Sequence, residues 1–450
     1  MKRGFELACL IALDTLAYYV SLLGAWSVRR WLTPVFYDGG TLDYSLSYYA
    51  QLWWIPVIYV FFIAHQQTYT ARLPFWDETK KLFHALTLAF IVFMAVVMLG
   101  RVYEMLSSAV LVMLWVMSMF IFPVFHLYGK KFLFQLGICR EKVLILGAGR
   151  AGGLIAQWLE RERHIGYDVV GFLDDKKEKT GQFISGKKVF GRVRHYTRFV
   201  RELAIDTIII AMPSMGAEKT SAMAYEIQQR VKHTLVVPDL YGVAMLNTQM
   251  LHLFYEELFL LRVRNNLKSL PNRFVKRFFD VSVTLALSPV WLALMAVIVA
   301  LIKLESPGGG AVICSSVRLG MDGRPFRCFN FRCTTDGRLT RVGRFLEKTS
   351  LDELSQLLNV LRGDMSLIGP RPYLLNEVNA VQDSIDAITR VAPGITGLWQ
   401  VSHRENDTYE DRIRLDIWYI MNWSLWLDLF ILSRTMAVVF SIKKGEQKDD

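Results

Sequence analysis

Residues 82–100 read LFHALTLAFIVFMAVVMLG, and three more apolar runs lie nearby: FELACLIALDTLAYYVSLLGA at 5–25, LSYYAQLWWIPVIYVFFIA at 46–64 and LSSAVLVMLWVMSMFIFPVFHLY at 106–128. Each has about the length of a helix that crosses a bilayer, so a four-helix transmembrane bundle is expected over residues 1–130. Buried helices of a soluble fold are a poor alternative, because four such segments in succession leave too little polar surface. Asp14, within the first run, needs an interhelical partner or a water-filled niche. The first run lacks a small-x-small cleavage site before a polar start, which argues against a removable leader.

Composition agrees: 53% of the 450 residues are hydrophobic, and the mean hydropathy is +0.28. Lys2, Arg3, Arg72, Lys80, Lys81, Lys130, Lys131, Arg140 and Lys142 flank the runs on one side, and Arg29, Arg30 and Arg101 on the other. That bias puts the N-terminus and everything after residue 130 on the cytoplasmic side. The formal charge of +11 suits an anionic membrane face and anionic substrates. Nucleic acid is not an expected partner, since no recognisable reader module is present. Cys9, Cys139, Cys314, Cys328 and Cys333 are odd in number and form no C-x-x-C pair, which suits a reduced compartment.

After Arg140 the pattern shortens. Strands are expected at Lys142–Leu146, Val169–Leu173, Thr207–Ala211 and Leu235–Val237, with a helix at Leu154–Arg163, giving an α/β domain with a parallel sheet over residues 131–265. Gly147, Gly149 and Gly152 follow a strand and open a helix, where backbone N–H groups could meet a diphosphate. Asp174 and Asp175 stand where a ribose hydroxyl could be held. The same glycines also suit a tight turn and close helix packing. An NAD-dependent nucleotide-sugar dehydratase or epimerase is therefore a rival reading, weakened because no tyrosine has a lysine four places on. The domain reads better as a binding, regulatory or assembly module, and a non-catalytic scaffold is a third reading of the chain.

Val281–Ile302 is a fifth apolar stretch, interrupted by Ser288-Pro289. A full crossing would place the basic residues from Arg318 to Arg344 outside, against the bias, so a re-entrant helix over about 275–302 that returns to the cytoplasmic side is expected. Beyond Ser306-Pro307-Gly308, arginines recur at 318, 324, 327, 332, 338, 341 and 344, followed by Lys348. Such forks suit phosphate oxygens. Asp352 and Glu353 open a helix. Capping and the helix dipole explain acids there, but adjacent carboxylates also permit one to attack phosphorus while the other holds a divalent ion. An arginine cluster nearby would keep Asp352 ionised. Pro370 and Pro372 flank Arg371 and restrict its backbone, Pro393-Gly394-Ile-Thr-Gly397 is a further turn, and the aromatics from Trp418 to Trp426 suggest helices lying in the membrane interface.

These motifs resemble the polyprenyl-phosphate hexose-1-phosphate transferases, the large monotopic bacterial phosphoglycosyl transferases. The resemblance is carried by Ser288-Pro289, Ser306-Pro307-Gly308, Phe331-Arg332, Arg338, Arg341, Thr349-Ser350-Leu-Asp352-Glu353-Leu, Gly363-Asp364-Met-Ser, Gly369-Pro370-Arg371-Pro372, Pro393-Gly394-Ile-Thr-Gly397 and Leu415-Asp416 before Tyr419. It implies a Rossmann-like middle domain, a monotopic catalytic domain over 266–450, and transfer of hexose 1-phosphate from a UDP-hexose to undecaprenyl phosphate with release of UMP. It further implies Asp352 as covalent nucleophile, Glu353 as Mg²⁺ ligand, Arg332 and Arg371 as catalytic arginines, and Arg338, Arg341, Lys348, Pro370, Pro372 and Arg404 as substrate-binding residues. A homodimer in the bacterial inner membrane, starting O-antigen or exopolysaccharide synthesis with galactose or glucose, completes the expectation. Four positions depart from the family pattern: Ser316 in place of glutamine, Asn330-Phe-Arg-Cys333 in place of Lys-Phe-Arg-Ser/Thr, Ser355 in place of proline and His403 in place of glycine.

Overall fold

Apolar runs become helices here, and one of them is divided near a proline. In the computed structural model, which describes residues 2–36, 45–100, 107–238, 249–253, 258–262, 267, 269–306, 308, 310–335, 337–375, 377, 384–402 and 408–441, the chain divides into two compact units, Met1–Leu240 and Tyr241–Asp450. In the first unit α1 (Lys2–Phe36) is long enough and apolar enough to cross a bilayer. The single helix expected over 46–64 is instead α2 (Leu46–Ala50) and α3 (Trp54–His65). Pro56 accounts for the break: in an unbroken helix its ring would strike the carbonyl of Leu52, and it has no N–H to donate there. With α4 (Phe75–Leu99) and α5 (Ser108–Gln135), the N-terminal region has three described helices of crossing length and one short apolar helix.

Asp14 has its interhelical partner. Its carboxylate lies 2.7 Å from His126 Nε2 and accepts from Tyr69 Oη at 2.5 Å, while His126 Nδ1 faces Glu78 Oε1 at 2.6 Å and Lys130 completes the chain at Glu78. Four buried ionisable groups of opposite signs thus join α1, α4 and α5, as low-dielectric burial requires. Arg72, just beyond α3, donates to Glu141 Oε2 at 2.6 Å and to the carbonyls of Cys139 and Ile165. It ties the helices to the α/β domain.

That domain comprises β1 (Glu141–Leu146), α6 (Arg150–Arg161), β2 (Tyr167–Leu173), β3 (Phe183–Ile184), β4 (Lys187–Gly191), α7 (Tyr196–Leu203), β5 (Thr207–Ile210), α8 (Ala217–Gln228) and β6 (His233–Val236). The sheet order is β3-β4-β2-β1-β5-β6, parallel apart from the β3–β4 hairpin. Val143–Leu146 and Ile208–Ile210 are buried, as expected of central strands covered on both faces. The hairpin escapes sequence reading because a two-residue strand shows no alternation. Its Ser185-Gly186 turn has φ of 50° and 74°.

The second unit contains the β7 (Gln249–Leu253) and β8 (Leu258–Arg262) hairpin, α9 (Leu270–Ala286) and α10 (Ser288–Glu305). Ser288-Pro289 does break the apolar stretch: α9 ends at Ala286 and Pro289 sits in the first turn of α10. The Thr284 carbonyl, which a continuous helix would pair with Ser288, accepts from Trp291 Nε1 at 2.9 Å. α9 is turned inside out. Lys276, Asp280 and Thr284 are buried while Phe274 is 71% and Phe278 65% exposed. A polar face packed inwards and an apolar face outwards is the arrangement that a lipid surround favours.

The remaining elements are β9 (Ile313–Leu319), β10 (Pro325–Phe331), β11 (Thr334–Thr335), β12 (Arg338–Leu339), α11 (Arg341–Thr349), α12 (Leu357–Arg362), β13 (Ser366–Ile368), α13 (Ile385–Ile388), β14 (Gly394–Thr396), α14 (Leu398–Val401), α15 (Tyr409–Asn422) and α16 (Leu425–Ser441). Lys276 Nζ donates to Asp428 Oδ2 at 2.8 Å, and Tyr419 Oη and Trp423 Nε1 donate to the same carboxylate. The expectation that the Trp418–Trp426 aromatics lie in the membrane interface is therefore corrected for Tyr419 and Trp423, which are buried in the core around Asp428. Replacing Lys276 with Met leaves that carboxylate without its cation, a loss of about 3–5 kcal/mol for a broken buried pair. Thermal unfolding in detergent should show it as a lower midpoint; an unchanged midpoint would deny the pair its anchoring role.

Candidate active site

Asp352 and Glu353 lie in a 3₁₀ turn, Leu351–Gln356, entered through Ser350 in the left-handed region with φ of 55°. The turn packs against the β9–β10 hairpin. Asn330 on β10 donates its amide to Asp352 Oδ2 at 3.2 Å, and Gln356 Nε2 donates to Asn330 Oδ1 at 3.3 Å. Asn359, fully buried, fixes the next turn by accepting from Phe329 N at 3.1 Å and donating to Arg327 O at 2.7 Å. The departure at position 330 is thus not idle: a neutral amide stands against the carboxylate.

Burial pushes the Asp352 carboxyl above its ordinary range, and the Asn330 hydrogen bond draws it back. Burial also raises Glu353, Asp352 adds to that, and Arg371 and Arg318 oppose it. The expected arginine cluster therefore acts on Glu353, and at Asp352 it is instead the Asn330 amide and backbone N–H groups that oppose the effect of burial. Burial lifts the Cys328 and Cys333 thiols to about 11; Glu353 contributes at Cys328 and Asp352 at Cys333. Asp352, bonded to Asn330, lies toward the Arg332 end of β10.

Arg371 is aimed by a backbone knot. β13 and β14 pair in parallel, and a Cβ on Gly394 would lie 2.0 Å from Gly369 N. Pro370 and Pro372 are buried here as backbone: the Pro370 carbonyl accepts from Gly394 N, and the Pro372 carbonyl from Arg318 Nη1 at 2.9 Å. Arg371 lies 6.0 Å from the Trp399 ring centroid, and Arg412 lies 4.8 Å from both the Trp399 and Tyr373 centroids. Burial, then Arg412 and Arg318, lower the Arg371 pKa. Asp416, buried behind them, accepts from Tyr373 Oη at 3.0 Å and is pushed up by burial to about 7.

Residues 271–442 match the family described as bacterial sugar transferase, and residues 68–238 match one described as a CoA-binding domain. The chain is 35% identical over 404 residues to the UDP-galactose-lipid carrier transferase of Erwinia amylovora, covering 82% of this chain and 83% of that one. It is 33% identical over 411 residues to the undecaprenyl-phosphate galactose phosphotransferase of Salmonella typhimurium, with the same two coverages. The chain belongs to the polyprenyl-phosphate hexose-1-phosphate transferases. The UDP-glucose:undecaprenyl-phosphate glucose-1-phosphate transferase of Klebsiella pneumoniae is 30% identical over 342 residues, 69% of this chain and 70% of that one.

Within this transferase the expected site residues lie in several different places. Asp352, Glu353, Arg371, Pro370 and Pro372 surround the acidic turn or hold its arginines. Arg332 is buried at the end of β10, and its Nη1 meets no hydrogen-bond partner among the described residues. Arg338, Arg341 and Lys348 are exposed on β12 and α11, and the Arg341 and Val342 N–H groups are capped by Glu305 at 2.6 and 2.9 Å. Arg404 lies outside the described residues, as do Pro307 and His403. Sequence reading passed over Arg412 and Trp399 as site residues and counted Arg318 only within a basic run. Only the pairing of β9 with β10 and the β13–β14 knot bring them together.

Packing accounts for two of the three middle-domain glycines, Gly147 and Gly152, while a Cβ on Gly149 would meet open space. A Cβ on Gly152 would lie 2.1 Å from Gly147 O, and one on Gly147, at φ of 102°, 2.6 Å from Ala211 O. Asp174, expected to face a ribose, instead accepts from Ala148 N at 2.9 Å and from Lys179 Nζ at 3.1 Å.

Two pH effects follow. The Asn330 amide favours the ionised form of Asp352, so Asn330→Leu should move the acid limb of the transfer-rate profile to higher pH and Asn330→Lys to lower pH; coincident limbs would remove Asn330 from the role. Asp416 binds its proton more tightly folded than unfolded, so its stabilising effect is complete below about pH 4 and is lost as pH rises through about 7. Asp416→Asn should flatten the unfolding midpoint between about pH 4 and about 7, and a native-like slope in the variant would assign that slope elsewhere.

Proposed function

We propose that this transferase moves hexose 1-phosphate, galactose or glucose, from a UDP-hexose to undecaprenyl phosphate through a phosphosugar on Asp352, as the first step of a surface polysaccharide. The observation that carries the reading is the asymmetry of the acidic pair: the neutral amide of Asn330 bonds Asp352, while the charges of Arg371 and Arg318 act on Glu353. A carboxylate without a cation on it is free to attack phosphorus, while its neighbour sits in the charged half of the site. The similar protein from Klebsiella pneumoniae is named for UDP-glucose and undecaprenyl phosphate, and that from Salmonella typhimurium for galactose and undecaprenyl phosphate, which supports the same donor and acceptor classes.

In the first step a carboxylate oxygen of Asp352 bonds to the sugar-linked phosphorus, and the bond to the nucleotide phosphate breaks with its electron pair, releasing UMP. In the second, an oxygen of undecaprenyl phosphate bonds to that phosphorus and the Asp352 carboxylate departs. Neither step needs a proton moved. Arg332, buried with an open Nη1, suits the non-bridging oxygens of the transferring group. Mg²⁺ suits the adjacent carboxylates of Asp352 and Glu353, since it characteristically takes one or two carboxylates with the rest from phosphate and water. Glu353 would hold it, and the ion would neutralise charge on the phosphates.

The lipid acceptor fits a monotopic, re-entrant path for α9 and α10, since Val290 and Leu304 on α10 are exposed like Phe274 and Phe278 on α9. That path, an inner-membrane location with the catalytic unit on the cytoplasmic side, and a homodimer belong to the same proposal. With UDP-hexose, Mg²⁺ and no lipid, the native enzyme should release one UMP per active site and gain one hexose phosphate on Asp352, cleavable by hydroxylamine. Asp352→Asn should give neither. An adduct mapped to Glu353, or transfer that never yields an adduct, would replace the scheme by direct displacement.

A further inference from the structure

Within the first unit, a cavity of about 340 Å³ lies where the long apolar helices meet the α/β domain, with Glu6, Leu7 and Leu10 of α1, Tyr69, Lys130 of α5 and His164 on its wall. It borders the start of β1, the turn before β2 and the start of β6, which are the strand ends opposite to those where open α/β sheets bind nucleotides. The cations of this wall are already matched. Arg72 donates to Glu141, and Lys130 donates to Glu78 and to the Thr68 carbonyl at 3.4 Å, which leaves one of the three N–H groups of that ammonium unused. Two acceptors are not matched. Glu6 has no ion-pair partner among the described residues. His164 is 6% exposed, yet its Nε2 meets no hydrogen-bond partner among the described residues. Burial pushes the His164 pKa down, so the ring is neutral, and its Nδ1 faces the Glu162 carboxylate at 3.4 Å. The ring proton therefore sits on Nδ1, and Nε2 is a buried acceptor that burial penalises until a donor reaches it.

We propose that this cavity seats the head group of phosphatidylethanolamine, with its primary ammonium donating to Glu6 and His164 Nε2, its phosphate accepting from Lys130, and an acyl chain lying along Leu7. A primary ammonium brings a positive charge and three N–H donors, so it answers a carboxylate and a neutral acceptor together. A choline group, fully methylated at nitrogen, donates to neither. The depth agrees with a lipid ligand. Leu7, 43% exposed, stands near the start of a helix long and apolar enough to cross a bilayer, and Lys130 lies in the last two turns of another, which is where head groups reside. Tyr69 and Lys130 are also the two ends of the buried chain that runs through Asp14, His126 and Glu78. A head group seated against them ties α1 and α5 to the edge of the sheet, so it stabilises the first unit and stands apart from the lipid that accepts the sugar.

Full-length protein in nanodiscs of dioleoylphosphatidylcholine, with or without dioleoylphosphatidylethanolamine, provides the test. Lipid retained on the protein is measured by native mass spectrometry, and stability by the thermal unfolding midpoint. The native chain should retain phosphatidylethanolamine in preference to phosphatidylcholine, and its midpoint should rise when phosphatidylethanolamine is present. Glu6→Gln removes the charge, and His164→Phe keeps a ring against Phe75 while removing the nitrogen. Each should weaken retention of phosphatidylethanolamine by roughly tenfold, the loss of one charge-assisted hydrogen bond, and should cancel the rise in midpoint. Midpoints in phosphatidylcholine alone show whether the variants fold, and Glu6→Gln, at the partly exposed start of α1, carries the test by itself if His164→Phe does not. Equal retention of the two lipids by the native chain overturns the proposal, as does a preference that persists in folded Glu6→Gln. Soluble phosphoethanolamine, added to the protein in detergent, separates the two sources of the head group: weak or no stabilisation supports the lipid, and stabilisation equal to that by phosphatidylethanolamine overturns it in favour of a free phosphorylated amine.

Discussion

The buried pair of Lys276 and Asp428 is the constraint on which the catalytic unit depends. An ammonium and a carboxylate withdrawn from water are tolerated only when both are fully partnered, and here Tyr419 and Trp423 complete the acceptor. Because Lys276 sits on α9, the network fixes which face of that helix turns inwards. Asp280, one turn further along, accepts from Ser366 Oγ at 2.7 Å and so carries the same orientation to β13. Arg277, between them, donates to the carbonyls of Val360 and Leu361 at the end of α12. A helix whose polar face is consumed by the domain must show its apolar face to the outside, and Phe274 and Phe278 do so.

From β13 the constraint passes to the site. Ser366–Ile368 is held beside Gly394–Thr396 at a separation that admits no side chain at Gly394, and the chain leaving β13 is the segment that carries Arg371. The strand after the second turn of the knot leads directly to Trp399 on α14. Thus the same backbone contact that closes the small parallel pair also delivers an arginine and its aromatic partner. From the other direction, α12 follows the 3₁₀ turn of Asp352 and Glu353, and Asn359 within it is bonded to β10. The acidic pair and the arginines are therefore set by two different attachments to one buried scaffold.

The sequence was most legible where one physical rule dominated. Hydrophobic length announced α1, α4 and α5, a proline announced the break between α9 and α10, and clustered short apolar runs announced the parallel sheet. It was least legible where rules competed. The run at 46–64 has spanning length and composition, but Pro56 within it divides the helix. The aromatics around Trp418 have the composition of an interfacial helix, yet Asp428 draws Tyr419 and Trp423 inwards to satisfy its oxygens. Within the site, motif spacing marked Asp352, Glu353 and Arg371, which lie in constrained turns. Arg412 carries no such mark, because an arginine in the first turns of a helix reads as an ordinary solvated charge until the fold places Trp399 beneath it.

Asn330 makes the electrostatics of this chain its own. A lysine at that point would bring a full charge against Asp352, holding it ionised but also damping its nucleophilicity by stabilising the ground state. An amide holds the carboxylate by one neutral hydrogen bond, and the positive charge of the site is left to the arginines on the Glu353 side. Burial raises both carboxyls, and in the proposed scheme the one that the arginines act on less, Asp352, serves as the nucleophile. The asymmetry between two adjacent acids thus does not come from the acids. It comes from what surrounds them: the Asn330 amide on β10 bonds Asp352, and the charges of Arg371 and Arg318 act on Glu353.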